Sequence, residues 1–141
     1  MFFALDGDKS DYVYIYTYQT WYPSVEYETT NTTKNVGLFD LSPFSKFEII
    51  SDKAHDDLQK ICTSNIKHDA GKCTYTHMLN KDGGIETDLT VVCIDKNHFR
   101  IISSAATRER DKFHIKKYLT EGIELKDVTD DYCVFGIFGP K

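Results

Sequence analysis

Asp88 is the acid whose setting invites a chemical role. It lies in the segment Ile85 to Ile94, where residues alternate as in a strand. Ile85, Thr87, Leu89, Val91 and Cys93 then share one face, and Glu86, Asp88, Thr90, Val92 and Ile94 the other. The carboxylate therefore shares its face with apolar residues farther along the strand. It stands either beside the solvated turn at Gly83-Gly84 or at the mouth of a cavity. In the first setting it is a solvated hairpin acid. In the second, it lines the mouth of that cavity. Tyr75, on the strand before the turn, either helps to wall such a cavity or is an ordinary strand tyrosine.

Other reactive residue types lack the spacing their chemistry needs. His55, His68, His77, His98 and His114 are scattered without ligand spacing, and Cys62, Cys73, Cys93 and Cys133 form no C-x-x-C pair, so no metal site is expected. Ser103 and Ser104 are not framed as a nucleophile elbow. Gly83-Gly84 follows Lys81-Asp82 as a hairpin turn and is no phosphate loop.

The elements that must position these residues follow from periodicity. Strand-like alternation runs from Tyr12 to Tyr18, in a strand or in an extended arm comprising residues 1–20. Val25 to Asn35 is ambiguous, because Thr29 to Thr33 are poor helix formers. Val36 to Asp40 reads as a short buried strand and Lys46 to Ile50 as a half-buried one. Ser51 is a candidate N-cap for a helix burying Ala54, Leu58, Ile61 and Cys62. Thr74 to Asn80 and Ile85 to Ile94 form a hairpin, followed by a strand at Phe99 to Ser103. A helix from about Ala105 to Leu119 buries Ile115, Tyr118 and Leu119, and Gly122 ends it. Strands at Ile123 to Val128 and Tyr132 to Phe138 complete the chain. Grouped strands joined by hairpins, without strict alternation with helices, predict an α+β fold with antiparallel sheets. The apolar strand at the end, followed by Gly139-Pro140, reads as a core strand turning into a helix, so the domain is expected to continue past Lys141.

The 141 residues suffice for one domain, and 40% apolar with 28% charged residues marks a globular composition. A net charge of −5 without a basic patch argues against nucleic acid as a partner. No apolar run approaches the ~20 residues of a membrane span. The beginning has neither a signal-peptide n-region nor the Arg-rich character of a transit peptide, and reduced thiols in an intracellular compartment are expected.

Several strings in register resemble the folate-binding family of the glycine-cleavage T-protein. Val36-Gly37-Leu38-Phe39-Asp40-Leu41-Ser42-Pro43-Phe44-Ser45-Lys46-Phe47-Glu48-Ile49 is similar to the signature near its start, in a version closer to dimethylglycine and sarcosine dehydrogenases. Tyr75 to Asn80 with Gly83 to Val91 resembles the family's central hairpin. Phe99 to Ile102, Ala106 to Asp111, Asp127 to Tyr132 and Gly139-Pro140-Lys141 follow in the family's order.

The resemblance implies ferredoxin-like α+β units around a folate cavity, with residues 21–141 forming the first, partial portion of an aminomethyltransferase folate-binding domain. It implies tetrahydrofolate as cofactor and one-carbon transfer from glycine-type or N-methylglycine donors, or a scaffold fragment inactive alone. It places Asp88 as the catalytic aspartate, pointing into a pterin-sized hollow, and Tyr75 in the folate pocket. Phe44 takes the place of an apolar Met in T-proteins and reads as a packing contact. Ser104 falls where many T-proteins have Asn near the folate, a departure that bears on that hydrogen bond. The partners it implies are a small amine donor and either a flavin-containing dehydrogenase domain or a lipoyl carrier protein. The compartment is cytoplasmic, or the mitochondrial matrix in a eukaryote. No Gly-x-Gly-x-x-Gly motif is present, so the flavin half of the dehydrogenases is not in this sequence.

Overall fold

The computed structural model describes residues 14–141, which divide into two compact units: residues 14–40 with Phe135–Lys141, and Leu41–Val134. The expected strand from Tyr12 begins outside the described residues. From Tyr14 onward it is not a strand: Tyr16 to Tyr18 form a bend, and Tyr14, Tyr16 and Tyr18 are exposed. Alternation alone supplies no partner for a ladder.

In the terminal unit, α1 spans Tyr22–Lys34 and includes the Thr-Asn run. Pro23 lies at its start, where a missing N–H costs nothing. Polar side chains that usually compete with helix are satisfied within it. Thr33 Oγ1 donates to Thr29 O at 2.8 Å, and Asn35 Nδ2 donates to Asn31 Oδ1 at 3.0 Å. No residue of α1 is buried. Strand β1 (Gly37–Asp40) is antiparallel to a strand at Phe135–Phe138, the last of the chain, with Leu38 opposite Ile137. Both expected strands exist, but neither is a core strand. Leu38 and Ile137 are exposed, while Phe39 and Phe138 meet edge to face at 5.5 Å. Gly139, at φ +131°, backs onto the carbonyls of Thr32 and Asn35, where a Cβ has no room.

The central unit holds β2 (Ser45–Ile50), α2 (Ala54–Ile61), β3 (Cys73–Leu79), β4 (Ile85–Asp95), β5 (His98–Ser103), α3 (Arg108–Tyr118) and β6 (Leu125–Asp127). The strand at Phe135–Phe138 is therefore β7. The antiparallel sheet has the order β3-β4-β5-β2-β6. Setting aside edge strand β3, the order β6-β2-β5-β4 with α2 and α3 as crossovers is the ferredoxin-like βαββαβ arrangement. The expected fold class holds. Phe47, Ile49, Met78, Leu89, Val91, Phe99 and Ile101 meet Leu58, Ile61 and Ile115 in one core. Ala54, Leu58, Ile61 and Cys62 are buried as their spacing predicts. Ser51 acts one turn ahead of the helix, its hydroxyl accepting from Lys53 N at 3.2 Å and its carbonyl from Ala54 N at 3.2 Å.

β2 departs from the half-buried expectation, because Ser45 to Ile49 are buried on both faces. Lys46 is only 1% exposed, and its ammonium donates to the carbonyls of Ser42 (2.8 Å) and Phe44 (2.9 Å). Buried ammonium must find acceptors, and here the preceding loop supplies them.

Candidate functional site

The face of the sheet opposite α2 and α3 carries the alternate residues: Tyr75 and His77 on β3, Asp88 and Thr90 on β4, Arg100 and Ile102 on β5, and Lys46 and Glu48 on β2. Ladder register sets them in rows. His77 faces Asp88, Tyr75 faces Thr90, Thr90 faces Ile102, and Ile102 faces Lys46. The odd-numbered residues of β4 from Thr87 to Cys93 are buried and Asp88 is exposed, so the two faces separate as the alternation predicts and Asp88 lies on the less buried one.

Asp88 and Tyr75 come together here. The Tyr75 hydroxyl donates to Asp88 Oδ2 at 3.0 Å, a diagonal contact across the β3–β4 ladder. That hydrogen bond, with lesser help from burial and the carboxylate's charge, pushes the Tyr75 phenol above its ordinary range. Tyr75 thus stays a protonated donor, and it leaves Asp88 Oδ1 able to accept from another group.

Phe44 and Ser104 reach the same end of the sheet through the backbone. Ser45 pairs with Ser103, and Ser103 with Leu89, so Phe44, Ser104 and Asp88 each adjoin one continuous row. Phe44 is partly exposed in the loop fastened by Lys46. Ser104 caps a short 3-10 turn at Ala105–Thr107, its hydroxyl accepting from Ala106 N at 3.3 Å, while its carbonyl accepts from Ser45 Oγ at 3.1 Å. The Ser104 hydroxyl is occupied with a local backbone bond.

The hollow expected at Asp88 is an open face in the central unit. A cavity of about 300 Å³ lies elsewhere, lined by Lys60, Ile61, Cys62, Thr63, Leu79, Asn80, Lys81 and Tyr118, and includes none of the four residues. Two residues on the sheet face that carries Asp88 escaped sequence reasoning. His77 stands opposite Asp88, its ring edge-on to Tyr75 at 5.8 Å; alternation from Tyr75 through β3 was signal enough to find it. Lys46 gave no signal, because nothing in its neighbours foretells that both faces of β2 are covered.

Farther along the same face, Glu48 is buried and accepts from Arg100 Nε at 2.9 Å, while His98 Nε2 lies 3.2 Å from its other oxygen. Burial by itself raises the Glu48 carboxyl, but the bonds from Arg100 and His98 outweigh it and hold the group below its ordinary range. The Arg100 guanidinium covers the Tyr132 ring at 4.0 Å. This cluster pairs Glu48 with Arg100 and His98 and fastens residues near Tyr132 to the sheet. Among the described residues no group of three or more His, Cys, Asp or Glu is placed to hold a metal, and no helix is long and apolar enough to cross a membrane. All four cysteines are free thiols.

Comparison with known proteins gives a family match over nearly the whole chain: residues 7–141 fit the model of the GCVT N-terminal domain. An aminomethyltransferase of Natranaerobius thermophilus is 34% identical over 127 residues, covering 86% of this chain and 35% of that protein. The 4-methylaminobutanoate oxidase (formaldehyde-forming) of Paenarthrobacter nicotinovorans is 29% identical, over 99% of this chain and 17% of the oxidase. The crystal structure of aminomethyltransferase T of the glycine cleavage system from Bartonella henselae superposes with a TM-score of 0.71 at 20% identity, over 93% of this chain and 37% of that one. The chain spans about a third or less of the length of these relatives.

Proposed function

The chain belongs to the aminomethyltransferase family as a GCVT N-terminal domain, and from that premise we propose that its open sheet face forms one wall of a tetrahydrofolate site for one-carbon transfer from an amine donor. The observation that carries this reading is the Tyr75–Asp88 hydrogen bond of 3.0 Å on an exposed face, in the row that Phe44 and Ser104 adjoin. These residues fit a planar heterocycle with N–H groups. Asp88 Oδ1 is an acceptor without a partner among the described residues, and Tyr75 is an exposed ring beside it.

Tetrahydrofolate, when bound, supplies the nitrogens that accept the one-carbon unit. Asp88 holds negative charge where positive charge develops on the donor. Tyr75 fixes the carboxylate by donating to one oxygen and, with its phenol pushed up, does not surrender its own proton. Phe44 packs against the ring system, in a loop that Lys46 holds from beneath. A fixed carboxylate of this kind is worth on the order of 2.7–4 kcal/mol in a water-poor site. In open solvent the same charge is screened, so the wall works at full strength only when covered. In this reading the cover comes from polypeptide that the longer relatives possess. The amine donor is presented by a flavin-containing dehydrogenase domain or a lipoyl carrier protein. The likeness to 4-methylaminobutanoate oxidase favours an N-methylated donor and the first of these.

The exposure of Asp88 favours a second reading of the 141 residues alone, a scaffold or weak folate-binding module without catalysis. Calorimetry with tetrahydrofolate separates the two. Micromolar binding by the chain, abolished by Asp88→Asn, supports the site, whereas no heat at millimolar ligand leaves only the scaffold.

A further inference from the structure

The cavity away from Asp88 has a chemistry of its own. Its walls come from the end of α2 (Lys60, Ile61 and the adjoining Cys62 and Thr63), the end of β3 with the turn that follows (Leu79, Asn80, Lys81), and Tyr118 at the end of α3. At about 300 Å³ it reaches the lower bound of small-ligand sites. Ile61, Leu79 and Tyr118 supply the apolar part of a mixed lining. Cys62 adds a thiol that burial pushes up to about 12, so it remains neutral and behaves as a small hydrophobe.

The charged groups at the cavity are unequal. Lys60 is spent, its ammonium 2.7 Å from the buried Asp57, which also accepts from Thr120 N at 2.7 Å and Thr120 Oγ1 at 3.0 Å. Asn80 is spent too. Its Oδ1 accepts from Asp82 N and Gly84 N, and its Nδ2 donates to Glu86. Lys81 is the cation of the lining without an ion-pair partner among the described residues. No carboxylate lines the cavity. The carbonyl ends of α2 and α3, at Ile61 and Tyr118, disfavour an anion on their side, which leaves the Lys81 side as the seat for negative charge.

We propose that this cavity binds a small amphipathic monoanion, an aromatic or branched aliphatic carboxylate, with its apolar body against Ile61, Leu79 and Tyr118 and its carboxylate at Lys81. The site is separate from the Asp88 face and does not depend on the function proposed for it.

Three probes of similar size but different charge test the assignment: benzoate, benzyl alcohol and benzylamine, titrated into the ¹⁵N-labelled chain and followed by amide shifts. The expected result is saturable benzoate shifts confined to Thr63, Asn80, Lys81 and Tyr118, weaker ones from the alcohol and none from the amine. Lys81→Glu, an exposed turn substitution whose spectrum reports folding directly, lowers benzoate affinity by about tenfold. Leu79→Trp fills the cavity and abolishes the shifts while the rest of the spectrum stays dispersed. The proposal is overturned by equal shifts from benzylamine, by shifts scattered over the surface, by none at millimolar benzoate, or by unchanged affinity in Lys81→Glu.

Discussion

Asp127 ties the start of α3 to β6, and its replacement by Asn has a calculable cost. Arg108 donates Nε to Oδ2 and Nη2 to Oδ1, each at 2.9 Å, and Thr129 adds its backbone N at 3.1 Å and its hydroxyl at 2.7 Å, both to Oδ1. Burial alone would raise this carboxyl. The bonds from Arg108 and Thr129 outweigh it and bring the pKa to about 2, against an ordinary 3.8. The folded value is depressed, so the stabilisation is complete above about pH 4 and drains away as pH falls through about 2. At about 1.4 kcal/mol per pH unit the ceiling is about 2.5 kcal/mol, and solvent around the partly exposed Arg108 reduces it to about 1–2 kcal/mol. Asp127→Asn keeps the shape, and Arg108 retains Asp130 at 3.5 Å. The variant should be less stable by that amount near neutral pH in urea denaturation. Its deficit should close as pH is lowered from about 4 to about 2. Glu48 and Asp57, whose hydrogen bonds likewise overcome the effect of burial, titrate in both proteins and cancel in the difference. A deficit that stays constant down to about pH 2 would refute the clamp.

Three further outcomes are expected. In Asp88→Asn the Tyr75 phenol should titrate lower, toward its ordinary range, as read from its ring ¹³C resonance; since the folded value is raised, the bond stabilises below the ordinary phenol range and is lost at higher pH. An unmoved midpoint would show that the pair does not exist in solution. Thiol reagents should modify exposed Cys73 and Cys133 in the native protein, while Cys62 and Cys93, both buried and with raised pKa, react only on unfolding; early loss of Cys62 would contradict the packing beneath α2. Ile115→Ala should cost about 2–5 kcal/mol in denaturant titration, because Ile115 is the one fully buried apolar residue of α3. A loss well below about 1 kcal/mol would mean that α3 is held by its ion pairs instead.

Local signals were readable in the sequence and distant ones were not. The β3–β4 hairpin was legible because strict alternation flanks Gly83-Gly84, and Gly83 does take the positive φ of 82° that the turn requires. α2 was legible because its apolar residues recur at helical spacing. β1 and β7 were legible as strands, yet their pairing joins positions about a hundred residues apart and no local pattern announces it. α1 was obscured because propensity counts Thr and Asn against a helix, without the bonds Thr33 and Asn35 make inside it. The alternation at Tyr14 to Tyr18 misled because periodicity describes a face and not a partner. At the site, alternation predicted which β4 residues share a face with Asp88 but not whether that face is exposed, and the resemblance to a known family singled out Tyr75. The row that unites them with Phe44 and Ser104 depends on the order β4-β5-β2, which only the folded sheet reveals.

The central unit begins at Leu41 and finishes at Val134, and these two residues are hydrogen bonded, Leu41 N to Val134 O at 2.8 Å, with Val134 N held in turn by the Ser42 hydroxyl at 3.1 Å. A module whose two ends clasp each other is a cassette. Residues 41–134 carry the whole five-stranded sheet, both of its helices and the Tyr75–Asp88 pair, and joining their ends and reopening the chain at the Gly83-Gly84 turn would cut no strand of that sheet.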